Sequence, residues 1–79
     1  MQVDKNNVNI TQQEMKCMEL VAQGKSSWVC SQILGLSEHT VTFHIKNVMA
    51  KLGVNSRTTA AIELVKAGII PYESKIQFN

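Results

Sequence analysis

His39, Thr42, Phe43 and Lys46 recur at i, i+3, i+4 and i+7, the spacing that sets side chains on one side of an α-helix. Together they offer an imidazole, a hydroxyl that donates or accepts, an apolar ring and a cation. Such groups meet base edges in the major groove of a DNA duplex, about 12 Å wide: a lysine donates to guanine O6 or N7, a threonine bonds either way, and a ring lies against a thymine methyl. Phe43 is the least expected of the four, since a solvated helix face seldom carries a phenyl ring. Its ordinary alternative is a place at the core edge beside Met49.

Phosphates ask for amides, hydroxyls and cations. Lys25, Ser26 and Ser27 supply these at the start of a short helical segment, where the helix dipole is positive, and Thr40, Asn47 and Lys51 are placed to grip the other strand. Ser26 and Ser37 also read as plain N-caps, a compatible role because one hydroxyl both donates and accepts. Other chemistries find less support. His39 and His44 miss the i, i+4 spacing of a helical ligand pair, and no third ligand is near, so no metal is expected. Glu14, Glu19, Glu38 and Glu63 are explained by caps or solvated faces, and no nucleophile, base and orienter stand together, so neither catalysis nor a cofactor is expected.

The elements that must carry these residues follow from caps and periodicity. Thr11-Gln12-Gln13-Glu14 has the form of a capping box, after which Met15, Met18, Val21 and Ala22 repeat at helical spacing to about Gln23. Gly24 ends this helix; Ser26 or Ser27 caps a second one, carrying Trp28, Val29, Ile33 and Leu34 and stopped by Gly35. Ser37 caps a third helix of about residues 38–52, whose stripe of Val41, Ile45, Val48 and Leu52 is opposite the base-facing set. Gly53 closes it. Asn55-Ser56 opens a fourth helix of about residues 57–67, with Ala61, Leu64 and Val65 apolar, ended by Gly68 and Pro71. Helix, glycine turn, helix is the helix-turn-helix outline, and the fold class is all-α.

A chain of 79 residues with 44% hydrophobic and 5% aromatic residues makes one domain with an aliphatic core. The expected division is a flexible tether at 1–9, the helical domain at 10–70 and a tail at 71–79. Cys17 and Cys30 lack CxxC spacing and read as reduced core thiols. The net charge is only +2, but from His39 to Ile62 the cations Lys46, Lys51 and Arg57 meet no acid, which concentrates positive potential at one end. No leader or membrane-length apolar run is present, so a cytoplasmic location is expected.

Ile10-Thr11-x-x-Glu14, Gly24-Lys25, Ser37-Glu38-x-Thr40-Val41, His44, Asn47, Lys51-Leu52-Gly53-Val54 and Arg57, spread over residues 10–70, resemble the LuxR family of bacterial transcription regulators. Thr40 to Asn47, and Trp28 after Gly24-Lys25-Ser26-Ser27, are most similar to its quorum-sensing branch. The resemblance implies a four-helix domain binding double-stranded DNA through its third helix. It also implies a homodimer on paired half-sites through the fourth helix, drawing here on Ala61, Leu64 and Val65. An RNA polymerase contact is a further implied partnership. The chain departs from the family at Val29, where relatives usually carry Glu, and at Cys30 and Ser31, where Ile and Ala are usual. Thr42 stands where relatives often have Lys or Asn, so no known target sequence transfers. Relatives also carry a lactone-binding or phosphorylated receiver domain, for which 79 residues leave no room; the chain reads as the C-terminal domain of a longer regulator or as a free-standing member. A competing reading is a helical protein-interaction module that docks polymerase or an anti-activator through the fourth helix and the Met-rich first helix. The acid-free span favours DNA.

Overall fold

The computed structural model describes Val8 to Pro71, which form four helices and no strand. Helix α1, Gln12–Ala22, opens with the reciprocal bonds of a capping box: the Glu14 amide donates to Thr11 Oγ1 and the Thr11 amide to Glu14 Oε1, each at 3.1 Å. The other helices, α2 (Ser27–Leu34), α3 (Glu38–Leu52) and α4 (Arg57–Lys66), begin at Ser26, Ser37 and Ser56, whose hydroxyls each accept an amide three residues on. Such caps satisfy orphan N–H groups using local sequence alone. Gly35 and Gly53 end α2 and α3 in the left-handed region, at φ 69° and 70°, which a side chain would resist even though a Cβ would meet open space.

All helix pairs pack directly except α2 with α4. The expected α3 stripe of Val41, Ile45, Val48 and Leu52 is buried against Cys17, Met18, Val21 and Ala22 of α1, Cys30 of α2, and Ala60, Ala61 and Leu64 of α4, with Ile70 closing the core after the last helix. Burying aliphatic side chains of this size is worth about 1.5–3 kcal/mol each, so this cluster dominates the stability. Cys17 and Cys30 are free and buried, as expected, and burial pushes both thiols up from their ordinary range, away from the reactive thiolate.

The inward side of α2 is made by its smaller residues. Trp28 and Ile33 point to solvent, at 59% and 57% exposure, while the helix buries the expected core thiol Cys30 and, beside it, Ser31. The helix is held by the face that meets α1 and α3. Ser31 can be buried because its hydroxyl donates back to the Trp28 carbonyl at 2.6 Å. The packed part also begins earlier than residue 10. Val8 and Ile10 lie half-buried against the core, and the intervening Asn9 carbonyl accepts from Lys51. The rest of the expected tether, residues 1–7, and of the tail, 72–79, lies outside the described residues. No described helix is long and apolar enough to cross a membrane.

Candidate nucleic-acid interface

With Val41, Ile45, Val48 and Leu52 fixed in the core, helical geometry leaves the other side of α3 outward. His39 and Lys46 are exposed, Thr42 is half-buried, and Phe43 is 57% exposed, its ring meeting the His44 imidazole edge-on at 5.7 Å. Phe43 is therefore not tucked under Met49. Lys46 makes no ion pair among the described residues. His44 turns inward; its buried Nδ1 has no hydrogen-bond partner among the described residues.

The expected phosphate-binding residues fall in two groups. Lys25 and Ser26 are exposed at the start of α2, with Ser27 half-buried beside them; Ser26 Oγ accepts the Val29 amide at 3.2 Å. Val29 returns no side-chain bond, so this cap is half of a capping box. At α3, the Ser37 hydroxyl accepts the Thr40 amide at 3.0 Å and donates to Thr40 Oγ1 at 2.9 Å, leaving the Thr40 hydrogen to donate outward. Asn47 is half-buried.

Lys51 is placed differently from its expected role. Its ammonium lies 2.6 Å from Glu14 Oε1 and donates to the Asn9 carbonyl at 2.8 Å, committing two of its three hydrogens to the scaffold. Burial alone would raise the Glu14 carboxyl. Hydrogen bonds from Lys51 and the Thr11 amide, with the charge of Lys51, outweigh this and hold it below the ordinary carboxylate range. Two of the expected dimer residues are also spent: Ala61 and Leu64 face the core, Leu64 completely, while Val65 is half-buried and its neighbour Ile62 exposed.

Sequence reasoning missed two cross-helix ties, Lys51 with Glu14 and Arg57 with Ser27, the latter at 2.7 Å. The acid-free span had marked both cations without locating their partners. Away from α3, an open groove of about 240 Å³ is lined by Leu20, Leu34, Ile70 and Pro71 under Lys16 and Glu19. Among the described residues no group of three or more potential metal ligands comes together.

The family model of the bacterial regulatory proteins, luxR family, matches residues 8–64, nearly the whole described region and starting where Val8 joins the core. The chain belongs to the LuxR family. It is that family's helix-turn-helix DNA-binding domain, the part that serves transcription regulation, and its four strandless helices are the family's fold. A protein of Sinorhizobium fredii named as the HTH-type transcriptional regulator y4qH is 58% identical over 57 residues, covering 72% of this chain and 18% of that protein. The transcriptional activator protein LuxR of Aliivibrio fischeri is 41% identical over 71 residues, 87% of this chain and 28% of that protein. Among solved structures, the transcription factor GerE superposes with a TM-score of 0.72 at 37% identity, covering 76% of this chain and 90% of that one. The chain thus spans well under a third of the length of these LuxR-family sequence relatives.

Proposed function

We propose that this LuxR-family domain binds double-stranded DNA sequence-specifically, with α3 in the major groove. His39, Thr42, Phe43 and Lys46 take the base edges, while Lys25, Ser26, Ser27, Thr40 and Asn47 take the phosphates. Lys51 has one hydrogen left for a phosphate and serves chiefly to hold α3 in place. The observation that carries the reading is the outward side of α3, where an exposed phenyl ring and an ion-pair-free lysine stand on a helix whose opposite side is locked in the core. Leaving Phe43 in water costs apolar burial that a merely structural helix would recover.

Pairing on two half-sites through α4 belongs to the same proposal, and its surface is Val65 with the exposed Ile62. A second reading, contact with polymerase or another protein, is supported by the exposed Trp28 and Ile33 on α2. It does not gain from α1, whose Met18 is buried and Met15 half-buried. Quorum sensing is the biological setting proposed for any longer regulator that contains the domain.

The test is an amide NMR titration of the labelled domain with an arbitrary duplex at low and then raised salt, where non-specific affinity should lie near 10⁻⁴ to 10⁻⁶ M, about the range usual for such domains. Salt-sensitive shifts in α3 and the start of α2 are expected. Shifts confined to α4, or none, would remove the DNA reading and favour protein docking.

A further inference from the structure

Arg57 opens α4, and its guanidinium reaches Ser27 at the first position of α2, donating through Nη1 to the hydroxyl oxygen at 2.7 Å. These are the two helices that do not pack directly, so a side chain spans a gap that the backbones leave open. Lys51 finds a carboxylate, but Arg57 has no acid partner among the described residues. It stands half-buried at the positive ends of both α4 and α2, where the helix dipoles disfavour a cation. No carboxylate among the described residues offsets that charge.

The bond also fixes the direction of the Ser27 hydroxyl. A guanidinium has donors only, so Ser27 must accept, and its own hydrogen is left to donate; among the described residues no acceptor takes it. Ser26, its neighbour, has its oxygen committed to the Val29 amide. A hydroxyl that accepts from a cation is a stronger donor in turn, because chained hydrogen bonds polarise one another. Flanked by the exposed Lys25, such a donor suits an anionic oxygen.

We infer that Arg57 is a positioning residue for recognition of the DNA backbone: it holds the start of α2 and turns the Ser27 hydroxyl into a donor for one phosphate oxygen. The inference rests on the DNA-binding reading above. Because Arg57 acts through Ser27, the two residues form one functional unit.

The experiment measures binding of one fixed duplex over a range of salt for the unmodified domain, Ser27→Ala, Arg57→Gln, Arg57→Lys and the Ser27→Ala/Arg57→Gln double variant. Ser27→Ala should weaken binding about tenfold, as loss of a hydrogen bond to a charged group does. Arg57→Gln should weaken it by a similar factor, and the double variant no further, the signature of coupled residues. The dependence on salt should stay unchanged, since Ser27 is neutral. Additive losses, or a slope reduced by about 0.9 in Arg57→Gln, would make Arg57 an independent phosphate contact and overturn the positioning role. Undiminished binding by Ser27→Ala would overturn it as well. Should circular dichroism show that Arg57→Gln does not fold, Arg57→Lys decides: it keeps a donor and the charge, and should bind within about threefold of the unmodified domain. A loss as large as that of Ser27→Ala, with the salt slope lowered, would refute the unit. Failure of the DNA reading shows separately, as absence of binding by the unmodified domain.

Discussion

Lys51 lies in the last turn of α3 with its ammonium 2.6 Å from a carboxylate that is itself only 5% exposed; Lys46, little more than a turn earlier on the same helix, points to solvent with no ion pair among the described residues. Both lie in the same acid-free stretch. What separates them is the helix that each faces. Lys51 is on the side where α1 crosses, so α1 supplies Glu14 and the end of the incoming chain supplies the Asn9 carbonyl. Lys46 is on the side that no helix covers. The value of a lysine to the scaffold or to a ligand is set by the neighbouring element rather than by its own sequence context.

The largest expected effect on stability is on the scaffold side. Lys51→Ala leaves the Glu14 carboxylate buried with one charge partner fewer and should lower the unfolding free energy by about 2 kcal/mol in urea denaturation, within the range for stranding a buried charged group. Lys46→Ala should change the same quantity by no more than about 0.5 kcal/mol, as exposed substitutions do. Equal losses would erase the distinction between the two lysines.

On the ligand side the order reverses. Lys46→Ala should weaken binding to a selected target sequence by about 1–3 kcal/mol while affecting unrelated duplexes far less, as measured by fluorescence anisotropy. Uniform weakening on every duplex would reassign Lys46 to a phosphate.

The smallest effect sharpens the account of the Lys51–Glu14 pair. The folded pKa of Glu14 lies below its ordinary value of 4.5, so its contribution to stability is complete above that value and is lost as the pH falls through the folded pKa. Glu14→Gln should flatten the acid limb of the urea-midpoint profile below about pH 4.5. An unchanged acid limb would mean that Lys51 holds α3 without help from the carboxylate charge.

The fold was legible in the sequence because its punctuation is local. Thr11, Ser26, Ser37 and Ser56 each cap a helix by bonding an amide three residues away, and Gly35 and Gly53 stop the chain within one residue of the last helical turn. The stripe on α3 was legible for the same reason, and with it the outward placement of His39, Thr42, Phe43 and Lys46. On α2 the buried place of Cys30 was legible, but which of the larger apolar residues would stay outside was not: a short helix can turn either side inward, and its neighbours left Trp28 and Ile33 in solvent and buried Ser31. On α4, Ala61 and Leu64 were legible as apolar, but whether they served the core or an interface was not.

The sequence by itself determined four helices, their caps and which side of α3 faces out of the core, since each depends on residues within a turn or two of one another. Only the tertiary structure decided which cations remain available. Glu14 and Lys51 are 37 residues apart and Ser27 and Arg57 30 apart, and each pair meets only because packing of the core sets the helices at a given distance and angle. A hydrogen bond requires donor and acceptor to be placed within a few tenths of an ångström, and residue types and periodicity carry no such information across separate helices.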